Sequence, residues 1–290
     1  MVQPQLHQSL DPFFTERAIF VLHRTSHPGN IGASLRSLAV LDFPRMRCSA
    51  PRDPAWQAHP DAIARASGAM PRLKEISAFQ SLQAAIADCH WVIAVSADVR
   101  DFGPDLVDVS TACAWATARM LDNKQARVAF VFGSERDGLA REEAARGHLL
   151  ASIPGQPAYH SLNLSQAVMI TAWELRKQLL SLRTAKDSQA PRFAAPPMGQ
   201  PASADAFEGL MQHLQEGATA LGFLDPKHPK MLMERLRRLL MRSELRAEEI
   251  DLLRGLCTAM IRPRDRSGRG LKPCLPEPYP TKSKPDAENV

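Results

Sequence analysis

The chain lacks the cysteine patterns of a metal site or a disulfide framework. Its five cysteines include no C-x-x-C pair; they are Cys48, Cys89, Cys113, Cys257 and Cys274. Structural zinc sites and small secreted domains depend on regular spacings or on an even number of cysteines. An odd number without ligand spacing predicts reduced, mostly structural thiols in a cytosolic protein. We therefore expect no bound metal.

Long apolar runs are also missing. No stretch approaches the roughly eighteen consecutive apolar residues that a membrane-spanning helix needs. The opening stretch "MVQPQLHQSLDPFFTER" shows no basic segment followed by an apolar core, so no signal peptide is expected. The prediction is a cytoplasmic protein without a membrane partner.

The common nucleotide-binding loops are absent as well. An apolar run is followed by "HPGNIGASLR", in which Gly29 and Gly32 do not fit G-x-G-x-x-G, and no G-K-[ST] follows. A dinucleotide loop and a nucleoside-triphosphate loop are therefore both poor interpretations of this segment.

What the chain does have is ordinary size and a modest basic excess. Its 290 residues are 44% hydrophobic and 23% charged, with a formal net charge of +5. The length predicts one sizeable domain with a smaller one attached, or two domains. The charge permits a polyanionic partner without requiring one.

Short apolar runs alternate with amphipathic segments, which predicts an α/β fold with a parallel sheet. The predicted strands are Ala18–His23, Arg45–Ala50, Trp91–Ala97, Ala126–Gly133 and Leu149–Pro154. The predicted helices between and after them are Ile31–Leu41, Ser81–Asp88, Ser110–Leu121, Arg141–His148 and Leu164–Leu182.

The composition changes after this region. Residues 1–183 are predicted to form the α/β domain, and the Pro- and Ala-rich segment 184–203 a linker. Three helical patterns, Ala204–Leu221, Pro229–Arg242 and Ala247–Ile261, predict a small all-α C-terminal extension over 204–262. The Pro-rich, charged segment 263–290 is predicted to be a disordered tail.

Three polar loops follow predicted strands, at the sheet edge where open α/β folds build their sites. The first, "HPGNIGASLR", leads into Arg36; the second, "FGSERDGL", contains Glu135; the third, "SLNL", contains Ser161 and Asn163. Each has a simpler interpretation taken alone. Asn30 fits a helix N-cap, Glu135 a solvated loop residue, and the third loop a cap of the last helix.

Together the three loops resemble the motifs of the SpoU/TrmH branch of the SPOUT methyltransferases. The first motif, N-x-G-x-x-x-R, corresponds to Asn30, Gly32 and Arg36. The second and third, F-G-x-E-x-x-G-L and S-L-N-(L/V), correspond to Phe132, Gly133, Glu135, Gly138, Leu139, Ser161, Leu162, Asn163 and Leu164. The resemblance spans roughly Arg17 to Leu180.

The segments "TSHPGN", "GFLDPKHPKMLMERLRRLL" and "EEIDLLRGLCTAM" also resemble the TrmJ subfamily, including its C-terminal extension. That subfamily methylates the ribose 2′-hydroxyl of the pyrimidine at nucleotide 32 of tRNA. Two positions depart from its pattern: Ser134 stands where Arg is usual, and Asp42 where Gly is usual.

The resemblance implies a deep C-terminal trefoil knot, a homodimer, and S-adenosylmethionine as cofactor. The cofactor would lie in the knot against three loops, whose residues are Val95, Ser96, Ala97, Gly133, Ile153, Ser161 and Leu162. Backbone recognition by such loops explains why Gly, Pro and small residues occupy them.

Arg36 is the residue we expect to act in the chemistry. Its guanidinium stays protonated, so it would clamp the target phosphate and stabilise a developing alkoxide rather than act as a base. Ser161 and Asn163 would orient Arg36 or the ribose, while Asn30 and Glu135 would keep the pocket in shape.

An arginine stripe on the extension, Arg235, Arg238 and Arg242, recurs at helical spacing and is predicted to bind RNA, although a solvated helix face fits it equally well. His27 and His160 lie in motif loops and could touch RNA. The expected partner is tRNA, not DNA. Two alternatives remain: the same reaction on ribosomal RNA or another tRNA position, and a knotted RNA-binding protein without activity.

Overall fold

Seven parallel strands form the centre of the molecule in a computed structural model that describes residues 9–97, 103–156, 161–184 and 199–262. Their order across the sheet is β3-β2-β1-β6-β4-β7-β5. The strands are β1 Ala18–His23, β2 Met46–Ser49, β3 Ser77–Phe79, β4 Trp91–Val95, β5 Asp105–Asp108, β6 Val128–Phe132 and β7 Leu149–Ser152. The predicted parallel α/β fold is confirmed.

Every residue of the central strands β1, β4 and β6 is buried, because helices cover both faces of the sheet. On one face Phe20 stacks on Phe130 of the neighbouring strand, with 5.4 Å between ring centroids. The all-apolar sequence of β6 is what such two-sided burial requires.

Ten α-helices surround the sheet or follow it in the described residues, together with 3₁₀ segments at Trp56–Ala58 and Ser67–Glu75. They are α1 Pro12–Thr15, α2 Pro28–Val40, α3 Pro60–Ala66, α4 Leu82–Ile86, α5 Val109–Asp122, α6 Arg141–Ala144, α7 Leu164–Thr184, α8 Ala204–Ala220, α9 Leu232–Arg242 and α10 Ala247–Ile261. Helices α2, α5 and α7 share one apolar core with the sheet, and α4 contributes to the core on the other face.

All five predicted strands exist within a few residues of their expected bounds. The short strands β3 and β5 were not predicted, because they have only three and four residues and are largely exposed at the edges of the sheet. Helix α2 begins at Pro28, three residues before the predicted start. The side chain of His27, not that of Asn30, caps it by accepting from the N–H of Gly29.

Helices α8, α9 and α10 pack around an apolar core of their own, formed by Phe207, Leu210, Met211, Met241, Ile250 and Cys257. Ion pairs join these helices to the α/β part. Arg146 lies 2.8 Å from Glu208 of α8, Arg238 of α9 lies 3.5 Å from Asp105 of β5, and Arg119 of α5 bonds Glu244.

Residues 185–198 of the predicted linker and the whole predicted tail 263–290 lie outside the described residues. The last linker positions already belong to the helical part. Pro201 forms a bridge with Arg246, and Ser203 caps α8 through the N–H of Ala206. A helix boundary set by a capping serine, not a change in composition, therefore marks where the extension begins.

Four cysteines are free and buried: Cys48, Cys89, Cys113 and Cys257. Burial raises the pKa of the Cys89 thiol to about 12, so the thiol stays protonated and unreactive at neutral pH. The fifth, Cys274, lies outside the described residues. Among the residues that the structure describes, no helix has the length and apolarity needed to cross a bilayer.

Candidate active site

Glu135 is the centre of a polar network at the carboxyl edge of the sheet. Its Oε2 accepts hydrogen bonds from the backbone N–H of Ser26 at 2.8 Å and from the Ser26 hydroxyl at 2.6 Å. Its Oε1 accepts from Asn30 Nδ2 at 2.8 Å and from the His27 N–H at 3.2 Å. Glu135 is therefore not a solvated loop residue, since it holds the loop after β1 against the loop after β6.

The third motif joins this network through Asn163. Its Nδ2 donates to Asn30 Oδ1 at 3.1 Å, while its own Oδ1 accepts from the N–H and hydroxyl of Ser165 in the first turn of α7. Asn163 therefore both caps α7 and contacts the network around Glu135. Its partner is Asn30, whereas the sequence suggested Arg36 or the ribose.

The hydrogen bonds determine the charge of Glu135. Burial raises the pKa of this carboxyl, but the hydrogen bonds from Asn30 and Ser26 together outweigh it, so the net shift is downward. Glu135 is therefore ionised at neutral pH. A permanent carboxylate suits a structural acceptor of four donors better than a proton-transfer group.

This shift predicts a pH-dependent contribution to stability. A carboxyl whose folded-state pKa is depressed stabilises the fold above its unfolded pKa, and the contribution disappears as pH falls through the folded pKa. The free energy of unfolding of wild type should exceed that of Glu135→Gln at pH 7, and the difference should shrink below the ordinary carboxyl range. Denaturant titrations from pH 7 to pH 3 measure it. The exposed Glu142→Gln is the control, and a difference that stays constant with pH would contradict the prediction.

A cavity of about 170 Å³ opens beside the network. The residues predicted to bind a cofactor all line it, although they come from three separate loops: Val95, Ser96, Ala97, Gly133, Ile153, Ser161 and Leu162. Other lining residues were not predicted to bind the cofactor; among them are the motif residues Phe132 and Leu164, and Arg136, Asp137 and Ala167. Residues 157–160 of the third loop, including His160, lie outside the described residues.

The turn after β6 forms one wall of the cavity and requires two glycines. Gly138 has φ +62°, the left-handed region that favours glycine. A Cβ at Gly133 would lie 2.1 Å from the carbonyl carbon of Gly138. Ser134, which departs from the family pattern, exchanges backbone hydrogen bonds with Gly138, and its hydroxyl accepts from the N–H of Asp137 at 3.2 Å. Ser134 therefore stabilises this turn through its side chain as well as its backbone.

Arg36 is exposed on α2 and is not among the residues that line the cavity. No described residue forms a hydrogen bond or an ion pair with it. Its position contrasts with that of Asn30, which is 5% exposed and faces Glu135 from the first turn of the same helix. Four of the five predicted catalytic residues line the cavity or belong to the network beside it, and Arg36 does neither in a single chain.

Ser26 is the network residue that sequence reasoning missed. It donates two of the four hydrogen bonds to Glu135. Ser26 lies in the segment "TSHPGN" that resembles the TrmJ subfamily, but no role was predicted for its side chain. The two histidines nearby have structural partners. His23 bonds Ser49 and Glu143, and His27 caps α2. In the part of the chain that the structure describes, no three His, Cys, Asp or Glu side chains are grouped to hold a metal ion.

The predicted RNA stripe lies on α9, where Arg235, Arg238 and Arg242 are all exposed. Arg238 is also near Asp105, so part of its charge is compensated. The adjacent Arg237 points elsewhere and makes two hydrogen bonds to Glu208, at 2.6 Å and 2.9 Å. The stripe therefore remains a basic surface, and Arg237 belongs to the packing of α9 on α8.

Comparison with known families agrees with this site. The model of the SpoU rRNA Methylase family matches residues 17–173, which contain all three motif loops. The model of the tRNA methyltransferase TrmJ C-terminal domain matches residues 205–269, the region of α8 to α10. The chain belongs to the SpoU methylase family, a family of methyltransferase enzymes.

Within that family it has the TrmJ arrangement of the two parts. It is 35% identical over 245 residues to the tRNA (cytidine/uridine/adenosine-2′-O-)-methyltransferase TrmJ of Pseudomonas aeruginosa, covering 84% of this chain and 93% of that one. The Yersinia pestis tRNA (cytidine/uridine-2′-O-)-methyltransferase TrmJ is 32% identical, with 83% and 90% covered. The crystal structure of TrmJ from Z. mobilis superposes with a TM-score of 0.69 at 26% identity, covering 84% of this chain and 98% of that one. The sequence-based resemblance is confirmed.

Proposed function

We propose that the protein transfers a methyl group from S-adenosylmethionine to the ribose 2′-hydroxyl of a tRNA pyrimidine, at nucleotide 32 of the anticodon loop. The observation that supports this most strongly is the convergence of three motif loops on one cavity. Asn30, Glu135 and Asn163 come from distant parts of the chain and bond one another beside it. The TrmJ-type extension favours tRNA over ribosomal RNA as substrate.

The cavity fits the proposed cofactor chemically. Apolar side chains such as Val95, Phe132 and Ile153 suit an adenine ring, and the polar turn that follows Gly133 lines the same cavity. When bound, S-adenosylmethionine supplies an electrophilic sulfonium methyl group with an excellent leaving group. The protein's own task is then to position the acceptor hydroxyl and to favour loss of its proton.

We assign that task to Arg36. The hydrogen-bonded network around Glu135 would keep the loops of the site in place. The guanidinium of Arg36 would hold the phosphate of the target nucleotide in two hydrogen bonds and stabilise the developing alkoxide. Asn30, Glu135 and Asn163 act as positioning residues that fix the three loops, and Ser161 lines the cavity where the ribose would enter. This arrangement supports catalysis over a binding protein without activity, because every motif residue is present.

The test uses the intact enzyme and two tRNA transcripts. One has the natural ribose at nucleotide 32, and the other has a 2′-deoxyribose there, which removes only the acceptor hydroxyl. Methyl transfer from labelled S-adenosylmethionine should occur with the first and not with the second. Nucleoside mass spectrometry of tRNA from a deletion strain should show loss of one 2′-O-methylpyrimidine. Equal labelling of both transcripts would mean that the enzyme methylates another position of the tRNA. If ribosomal RNA is labelled in the same assay and neither transcript is, ribosomal RNA is the substrate.

The α9 stripe is proposed to bind the tRNA backbone and to raise affinity without taking part in chemistry. Each phosphate contact adds salt-dependent affinity, with a slope of log K against log salt of about 0.7 to 0.9 per contact. Arg235→Gln combined with Arg242→Gln should weaken tRNA binding and reduce that slope by about 1.5, while cofactor affinity stays the same. Filter binding at several salt concentrations measures both. Loss of cofactor binding with normal tRNA binding would reverse the assignment of the two parts.

A homodimer is proposed through the outer face of α2 and α7. Trp173 and Met169 lie one turn apart on α7 and are 49% and 50% exposed, and Val40 at the end of the adjacent α2 is 71% exposed. Such a cluster of large apolar side chains is the kind of surface that associates. Arg36 lies on the same exposed side of α2, so a second copy would place it beside a neighbouring chain.

Trp173→Glu should therefore convert the protein to monomers in sedimentation velocity and lower its activity, because a charge cannot be buried there without a partner. Leu121→Glu is the matched control, since Leu121 is also 49% exposed but lies on α5. A wild-type protein that sediments as a monomer and still methylates tRNA would contradict this prediction.

We also infer the family's knot and its division into parts. In the sheet, β6 lies between β1 and β4, while β7 lies on the far side of β4 and leads to α7, which packs beside α2 and α5. This order is compatible with a chain end threaded through an earlier loop.

The proposed parts are an α/β domain over 1–183, a linker, and an RNA-binding extension over 204–262. We propose that the enzyme acts on tRNA in the cytoplasm.

A further inference from the structure

An exposed aromatic ring marks one end of the C-terminal helices. Phe223 lies three residues after the end of α8 and is 61% exposed, whereas the next residue, Leu224, is 4% exposed. The backbone around Phe223 is fixed by a helix-ending motif. The N–H of Phe223 donates to Ala218 O at 2.9 Å, and the N–H of Gly222 donates to Thr219 O at 2.9 Å, with Gly222 at φ +70°.

In this motif an apolar residue at the position of Phe223 commonly packs back against the helix. Here Leu224 takes the buried place and Phe223 projects outward. The ring is therefore held on a rigid backbone while most of its surface faces solvent. An aromatic face presented in this way is suited to stacking, and a stacked partner would cost the chain little conformational entropy.

The surroundings of the ring are open and basic. Phe223 lines a pocket of about 570 Å³ together with His228, Lys230 and Arg235. Lys227 is exposed nearby, and the one carboxylate of the pocket, Asp225, is occupied by the Lys227 N–H and by His228 Nδ1. Lys230 has φ +50°, a strained conformation for a side-chain-bearing residue. Cations around an exposed ring are complementary to a single-stranded nucleic acid, because its bases can stack on the ring and its phosphates can pair with the cations.

We infer that Phe223 is a base-stacking platform for the RNA substrate. An unpaired nucleobase stacks on the ring, and the ammonium groups of Lys227 and Lys230 contact the flanking phosphates. The inference rests on the proposed function, because it takes RNA as the substrate, and it adds a site that reads an unpaired segment instead of a duplex. The Arg238–Asp105 pair holds α9, and with it this pocket, beside the edge strand β5.

The test compares three full-length variants by their dissociation constants for tRNA at fixed salt. Phe223→Leu keeps an apolar side chain but removes the π face, so binding should weaken by roughly ten- to a hundredfold, as loss of one stacked base typically does. Phe223→Trp should bind as well as wild type or better. Leu252→Ala is the control, since Leu252 on α10 is 71% exposed and lies outside the pocket; its binding should be unchanged.

The salt dependence separates stacking from charge. Phe223→Leu should leave the slope of log K against log salt unchanged, because no counterion-releasing contact is lost. The platform is overturned if Phe223→Leu binds tRNA normally, if leucine and tryptophan weaken binding equally, or if the substitution changes only the sedimentation coefficient, which would assign Phe223 to a protein contact. If the wild-type enzyme methylates tRNA and Phe223→Leu binds tRNA normally, only the stacking proposal is overturned. A wild type that neither binds nor methylates tRNA overturns the proposed function as well.

Discussion

Arg36→Ala is expected to lower the rate of methyl transfer by about a hundred- to a thousandfold and to leave the fold and cofactor affinity nearly unchanged. Removing one preorganised group that stabilises a developing oxyanion has an effect of this size. The structure explains why stability should not suffer. Arg36 is exposed, it has no hydrogen bond or ion pair with the described residues, and it does not line the cavity.

Arg36→Lys should fail almost as badly, because an ammonium group cannot engage two oxygens in the planar, bidentate way of a guanidinium. Single-turnover assays at saturating tRNA separate the chemical step from binding. Arg45→Ala is a matched control, since Arg45 is an exposed arginine paired with Glu16 before the start of β2, at the opposite edge of the sheet. Near-normal single-turnover rates for Arg36→Ala would reduce Arg36 to a structural helix residue.

Gly133→Ala is expected to abolish cofactor binding and activity together. The added Cβ would lie 2.1 Å from Gly138 C and 2.3 Å from Leu139 N, both backbone atoms of the turn that walls the cavity. Either the turn or the end of β6 must move, and a shift of about 1 Å in a site can cost a hundredfold in rate. Overpacking of this kind also lowers the free energy of unfolding by about 1 to 3 kcal/mol.

Calorimetry with S-adenosylmethionine and thermal unfolding test both effects. Gly68→Ala is the control, because a Cβ there meets nothing within 4 Å. It should leave both measurements unchanged. If Gly133→Ala binds the cofactor with normal affinity, the cavity beside the turn is not the cofactor site.

The contrast between these two residues shows what the sequence could reveal. Gly133 could be singled out because it follows an uninterrupted apolar strand and stands in a recognisable motif, and in the structure it lines the cavity. Arg36 could be recognised as a motif residue, but its surroundings could not be predicted. They depend on how α2 packs against the rest of the fold, which does not follow from periodicity.

Asp42 gives a second example. The sequence shows only an acidic residue where the family has glycine. In the structure Asp42 follows α2 at φ +69°, the left-handed region, and its Oδ2 accepts a hydrogen bond from the N–H of Leu10 at 2.6 Å. Aspartate tolerates this conformation better than most residues. The contact with Leu10 joins positions 32 apart in the chain, so no local pattern could have indicated it.

The network around Glu135 also sets when the site can exist during synthesis. Asn30 is bonded to Glu135, 105 positions later, and to Asn163, 133 positions later. At translation rates of about 5 to 20 residues per second, roughly 7 to 27 seconds pass between the addition of Asn30 and that of Asn163. The amide nitrogen of Asn30 lacks its acceptor until Glu135 has been added, and the amide oxygen lacks its donor until Asn163 has been added. The nascent chain therefore cannot use a complete site to guide its early folding, and methyl transfer must wait until α7 has left the ribosome.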